Sequence, residues 1–352
     1  MGRSKAVQVA ARRFCRAISR QGSFMVNKRR ELLFAAMSGA AFGWVSPSSA
    51  VAAGQSAAQE TLDLWPGNRP PQGRGPDGPE KVSAKGSVTQ VSRPRLIVYR
   101  PAQPNGSAAL VIAGGGYAHI ERGSESTPTC LWLQAQGVTA FELVYRLPGE
   151  HWPAEAPLQD GQRAMRVIRS MAGRYGLDTG RIGVIGFSAG GHLAGFTAAT
   201  AAVARYAPVD AADSLSSRPD FAGLIYPVLT FMPPFDHTHA RREIVGEHPS
   251  AEQSAAFSVD HLVTAQMPPV FLAQAQDDPI SPVDNSLLMF SALRAVGVPT
   301  EMHIFPQGRH GWGMGKPGTL VHAWPDLFTE WAAFNGFFKP LSANAGDRPA
   351  SQ

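Results

Sequence analysis

The chain has 352 residues, 44% hydrophobic and 17% charged, which suits one large globular domain or two small ones and is too apolar for a disordered protein. Its net charge of +5 does not mark a nucleic-acid surface: nine of the 32 basic residues crowd into residues 1–52 beside a single acid, leaving a net −3 on the rest. Only Cys130 lies beyond that leader, in an apolar stretch, so no intramolecular disulfide is expected in the body and the thiol reads as a small core side chain.

In chain order, residues 1–52 read as a cleaved export signal. From Met25 there is a positive start, an apolar run from Leu32 to Trp44 and a small-residue site, Ala50-Val51-Ala52. The run is shorter than the ~20 residues that span a bilayer, so no stable membrane anchor is expected. The stretch KRRELLF at 28–34 is similar to a twin-arginine signal, which implies a periplasmic or secreted protein exported after folding. Residues 53–92, rich in Gly, Pro, Ser and Gln, read as an extended arm or linker.

From 93 to 340, short β-rich runs alternate with helix-compatible stretches. Strands are predicted at 96–99, 109–113, 139–145, 182–185, 221–226, 270–275 and 301–305, and helices at 125–136, 158–175, 189–204, 285–296 and 324–338. The alternation predicts an α/β domain with a mainly parallel sheet covered on both faces. The segment 229–266 reads as a loop-like insertion that could form a cap, and residues 341–352 as a disordered tail.

The chemistry concentrates around VIGFSAGGHLAG, which places Ser188 in a Gly-x-Ser-x-Gly pattern between an apolar strand and a small-residue helix. A serine at such a junction is pushed out on a tight turn, with its hydroxyl at a helix N-terminus whose unpaired amides can hold an oxyanion; the amide of Ala189 is one donor. A second donor is expected from the strand that runs into Gly114-Gly115-Gly116. A chain order of serine, acid, histidine then narrows the partners. Asp277 and Asp278 follow one strand, and His310 lies in a glycine-flanked loop after the next. His303 falls inside a strand, His322 at a helix start and His192 on the helix after the serine, places that suit packing or structural roles. The two histidines of Asp236-His237-Thr238-His239 do not make a metal site, and neither metal nor cofactor is expected.

These residues resemble the α/β-hydrolase family, and within it the bacterial acetylxylan-esterase-like enzymes close to the feruloyl esterase-like branch. The matching stretches are GGGYAHI, AFELVYRL, residues 157–195, residues 277–305, which open on DDPISPVDN, and GRHGWG; LWPG at 64–67 is similar to a segment such proteins carry before the domain. The resemblance implies Ser188 as nucleophile, Asp278 as acid and His310 as base, with Asp278 selected over Asp277 by the Asp-x-x-x-Pro turn after it. Amides of the Gly115, Gly116 and Tyr117 turn and of Ala189 would then hold the oxyanion. Ala113 stands where many lipase-like relatives have a histidine. The implied substrate is an acetylated carbohydrate, xylan or its oligosaccharides, or another small ester, and Tyr117, Trp152 and Trp312 are candidates for a sugar-binding aromatic platform. Competing readings are a general short-chain carboxylesterase or peptidase of the same fold, and a non-catalytic binding protein on a hydrolase scaffold. The oligomeric state is not indicated.

Overall fold

The apolar runs become the strands of one large sheet in the computed structural model, which describes residues 59–339. The expected export leader (1–52), the start of the arm and the expected C-terminal tail (341–352) lie outside the described residues. Along the chain come β1 (Thr61–Asp63), β2 (Lys81–Val82), β3 (Val88–Thr89), β4 (Arg95–Tyr99), β5 (Ala108–Ile112), α1 (Thr127–Ala135), β6 (Thr139–Val144), α2 (Ala156–Ser170), α3 (Ala172–Tyr175), β7 (Ile182–Phe187) and α4 (Ser188–Ala199). After these come β8 (Ala222–Ile225), α5 (His239–Val245), α6 (Ala251–Ala256), β9 (Val270–Ala275), α7 (Asp284–Ala295), β10 (Thr300–Phe305) and α8 (Trp324–Phe334).

Eight strands form the main sheet in the order β1-β4-β6-β5-β7-β8-β9-β10. Pairing is parallel from β6 through β10, whereas β4 runs antiparallel to β6, and β1 to β4. Every residue of β5, β6 and β7 is buried, as in strands covered on both faces, and the burial includes Glu142 of β6. The edge strand β10 is only half-buried. Helices α4 and α8 lie on opposite faces, because Gly195 of α4 meets Leu224 while Phe328 of α8 meets the adjacent Gly223, and successive strand residues point to opposite sides. Helix α1 joins α8 on its face, where Trp132 packs edge-on against Trp324 and Phe328.

Two segments differ from the sequence expectation. The arm is not a free linker: β1 adds a strand to the sheet, and Leu64 and Trp65 behind it are fully buried. Trp65 donates its indole N–H to Asp160 at 2.7 Å and lies under the guanidinium groups of Arg146 and Arg163. Arg146 is itself fully buried and paired with Asp160 at 2.9 Å, so the arm covers a charge pair that water would otherwise reach. The segment 229–266 is folded as well. It carries α5 and α6, each opened by a side-chain cap, Thr238 on the Arg241 amide and Ser250 on the Gln253 amide.

Trp65→Ala removes a fully buried ring and one partner of Asp160, and is expected to cost about 3–5 kcal/mol of stability. Denaturant unfolding of the two proteins measures it, and a change below about 1 kcal/mol would mean that the arm does not support the domain.

Candidate active site

The order of the sheet reverses at β5, which has β6 on one side and β7 on the other. In open α/β sheets the crevice outside the carboxyl ends of strands at such a point is where ligands bind. Two loops meet there, one leaving β5 as Gly114-Gly115-Gly116 and the other leaving β7 as Ser188.

Ser188 has a left-handed backbone with φ 52°, a conformation uncommon for a residue with a side chain. The surrounding glycines allow it: a Cβ at Gly186 would collide with Gly190 O and with Ala194, and one at Gly190 would collide with the carbonyls of Ile112 and Ala113. Strand, turn and helix thus pack closer than any side chain at either position permits, and Ser188 is left pointing out at the first turn of α4. Its Oγ lies 2.7 Å from His310 Nε2. His310 Nδ1 lies 2.7 Å from Asp278 Oδ2, and the Asp278 side chain is fully buried. An N–H at Nδ1 donating to Asp278 leaves Nε2 as an acceptor for the serine proton.

The two adjacent carboxylates point different ways, as residues leaving a strand do. Asp278 Oδ1 accepts the amides of Ile280 and Ser281, both at 2.9 Å, while its other oxygen faces His310. Asp277 Oδ1 accepts the amides of Gly308 and Arg309, at 2.8 and 2.7 Å. Asp277 therefore ties down the loop that carries the histidine, and Asp278 meets its ring.

On the β5 side, Gly115 (φ 110°) and Gly116 (φ 63°) border a cavity of about 630 Å³ together with Ser188 and His310. Gly114 is not available to a ligand, because its amide donates to Glu125 Oε2 at 2.5 Å. The orphan amides at the start of α4, that of Ala189 among them, approach from the other side. Glu125 is 3% exposed, and its second oxygen accepts the Tyr226 hydroxyl at 2.9 Å. Burial pushes its carboxyl up to about 7 against the opposing pull of these two hydrogen bonds.

The expected aromatic platform does not form. Tyr117 is fully buried and its hydroxyl faces His192 Nδ1 at 2.8 Å, away from the cavity. His192 bonds Phe257 O at 2.8 Å through its other nitrogen, and burial lowers it to about 4, so it is a neutral structural residue. Trp152 packs on the arm, where its indole donates to Val91 O at 2.9 Å. Trp312 stacks edge-on against Tyr226 at 4.5 Å behind the histidine loop and lines a separate depression. The main cavity is bordered instead by apolar Ala118, Val228, Ala240 and Ile280 and by polar side chains: Lys85, His119, Glu121 and Ser124, which sequence reasoning did not single out, and Thr238 and His239 of the stretch it set aside as a metal site. His119 and Glu121 pair at 2.9 Å, and His239, from the 229–266 segment, stands over Gly116.

Comparison with known proteins places these features in a family. Residues 96–293, more than half of the chain, match the BD-FAE family model, and the chain belongs to that family. Its fold is the α/β-hydrolase fold. It is 37% identical to the acetyl ester-xyloside bifunctional hydrolase of Caldicellulosiruptor lactoaceticus, with a TM-score of 0.65 over 70% of this chain and 90% of that one. It is 26% identical to the propionate-bound thermophilic esterase of Thermogutta terrifontis, with a TM-score of 0.61 over 75% and 97% of the two chains. Among curated proteins it is 28% identical to an acetylxylan esterase of Xylanibacter ruminicola, over 65% of this chain and 46% of that protein. It is 34% identical to endo-1,4-beta-xylanase B of Butyrivibrio fibrisolvens, over 63% and 34%. The chain thus spans less than half the length of these two curated relatives.

The raised Glu125 carboxyl has a consequence for stability. The folded state keeps a proton that the unfolded chain releases near 4.5, so the stability it contributes is complete below that value and is lost as pH rises through about 7. Between about pH 5 and 8, wild type is expected to lose about 3 kcal/mol relative to Glu125→Gln. Parallel unfolding curves of the two proteins would contradict this assignment.

Proposed function

We propose that the protein is a serine-dependent carboxylic ester hydrolase that removes short acyl groups, acetyl first, from hydroxyls of xylan or xylooligosaccharides. The observation that carries the reading is the unbroken chain Ser188 Oγ, His310, Asp278, opening on a cavity bordered by the glycine loop. Similarity to an acetylxylan esterase and to an acetyl ester-xyloside hydrolase supports the substrate class. His119, Glu121 and Thr238 in the cavity lining offer hydrogen bonds to a hydroxyl-rich alcohol, beside apolar Val228, Ala240 and Ile280 that suit a short acyl group, and an exported enzyme accords with the leader read in residues 1–52.

In this mechanism His310 Nε2 accepts the Ser188 proton as Oγ attacks the ester carbonyl, and Asp278 holds the ring in the required tautomer and stabilises the imidazolium. The amides of Ala189 and of Gly115 or Gly116 bind the developing oxyanion. His310 then gives its proton to the departing sugar hydroxyl, leaving an acyl-serine. Water attacks that intermediate with His310 again as base, and the acid and free serine are released. The reaction balances without a cofactor.

Asp278→Asn is expected to lower turnover of an acetyl ester by up to about 10⁴-fold, because the imidazole loses its tautomeric control. Asp277→Asn loosens the His310 loop and is expected to cost much less. Steady-state kinetics at matched folded fraction compares them, and a more damaging Asp277→Asn would reverse the assignment. For the substrate, acetate release from acetylated xylooligosaccharides is compared with hydrolysis of p-nitrophenyl esters of increasing chain length. Acetyl esters are expected to be cleaved fastest, and faster cleavage of octanoyl esters would remove both the short-acyl and the acetylxylan readings.

A further inference from the structure

Glu125 takes no part in the acyl-transfer steps, yet this buried carboxyl is hydrogen-bonded towards both halves of the site. It sits on a π-helical turn, Arg122–Ser126, just beyond the glycine loop, and such turns recur at functional sites. Four groups converge on buried Glu142 and pin that turn from both ends: Arg122 at 2.7 Å, Ser126 at 2.6 Å, Thr127 at 2.7 Å and Tyr99 at 2.9 Å.

From this fixed base Glu125 reaches in two directions. One oxygen takes the Gly114 amide, at the root of the loop whose next two residues border the cavity. The other takes the Tyr226 hydroxyl, and the Tyr226 oxygen in turn accepts the Gly313 amide at 3.0 Å. Gly313 lies three residues beyond His310, and the Tyr226 ring stands edge-on to the His310 ring at 5.1 Å. Gly313 is also pressed on Ser124 so closely that a Cβ there would collide with the Ser124 carbonyl.

We propose that Glu125, acting through Tyr226, is a positioning residue that holds the glycine loop and the histidine loop in register, so that oxyanion donors and base meet one carbonyl. The inference rests on the ester-hydrolase reading of the same site. A displacement of about 1 Å in a catalytic constellation costs roughly 10²-fold, so a brace between the two loops controls turnover more than substrate binding. Because the carboxyl is pushed up to about 7, the brace changes protonation state near neutral pH. The groups that face it are Tyr226, His310 and Glu121, with Tyr145 beside them.

The experiment is steady-state kinetics on a short acyl ester from pH 5 to 9, for wild type, Glu125→Gln, Tyr226→Phe and the double variant, with folded fraction measured for each. Both single variants are expected to lose about 10- to 100-fold in kcat with KM within about twofold, less than the roughly 10²–10³ of a deleted oxyanion donor. The double variant should lose no more than the worse single one, since both break one chain. The ratio of kcat/KM between wild type and Glu125→Gln should be widest above about pH 8 and narrow towards one below about pH 6, because protonated Glu125 and Gln are both neutral. Folded variants with wild-type kcat, or a lower melting temperature with kcat per folded molecule unchanged, would overturn the proposal and leave the esterase reading standing. Wild type that hydrolyses no acyl ester would overturn that reading and the brace with it. Should Glu125→Gln not fold, Tyr226→Phe decides by the same kcat and KM criteria.

Discussion

The structure turns on the contact between the end of β7 and the start of α4. Gly186 and Gly190 remove two side chains from that junction, and the resulting approach to the carbonyls of Ile112 and Ala113 forces Ser188 into a left-handed conformation. Such strain costs of order 1–3 kcal/mol and persists only where the surroundings over-determine it. Here the fully buried strands β5 and β7 are the over-determining frame, joined residue by residue from Ala108↔Ile182 to Ile112↔Gly186. The same register brings the glycine loop after β5 level with the serine after β7. The geometry of the site is therefore a property of the sheet, and the loops inherit it.

Three carboxylates around this frame are each matched by donors. Asp278 is held by two amides and a ring, Asp277 by two amides, and Glu125 by an amide and a phenol. Buried and fully partnered networks rigidify a site, while a half-satisfied one is destabilising. Glu125 shows what this arrangement costs: burial resists the charge that its two hydrogen bonds favour, and the carboxyl settles near neutrality. A site that gains order from a buried carboxylate loses stability when that carboxylate ionises, the usual opposition between function and stability.

Most of the frame was legible in the sequence because its signals are strong. Short, mostly apolar runs bounded by turn residues place β6 and β9 within a residue of the expected spans, and small residues after Gly-x-Ser-x-Gly mark the start of α4. Chain order narrows the partners of Ser188 to Asp277 or Asp278 and to His310, the family resemblance selects Asp278, and Ser188, Asp278 and His310 meet in the structure. What was not legible has physical reasons. Strand β1 has three residues and no alternation long enough to read, although the buried Trp65 behind it betrays packing. The caps Thr238 and Ser250 are visible in the sequence, but the helices they open are too short for periodicity to announce. Proximity in sequence to the glycine loop suggested Tyr117 as a platform, whereas its positive φ of 63° turns the ring into the core. Glu125 belongs to no spacing pattern at all; only the folded chain brings it to Gly114 and Tyr226.

The central claim is that His310 makes Ser188 a nucleophile. The most direct measurement is reaction of the folded protein with a fluorophosphonate, then intact mass and peptide mapping. One adduct per chain is expected, located on Ser188, with labelling lost in Ser188→Ala and strongly slowed in a folded His310→Ala. Folded wild-type protein that stays unlabelled, or that carries its adduct on another residue, would contradict the account.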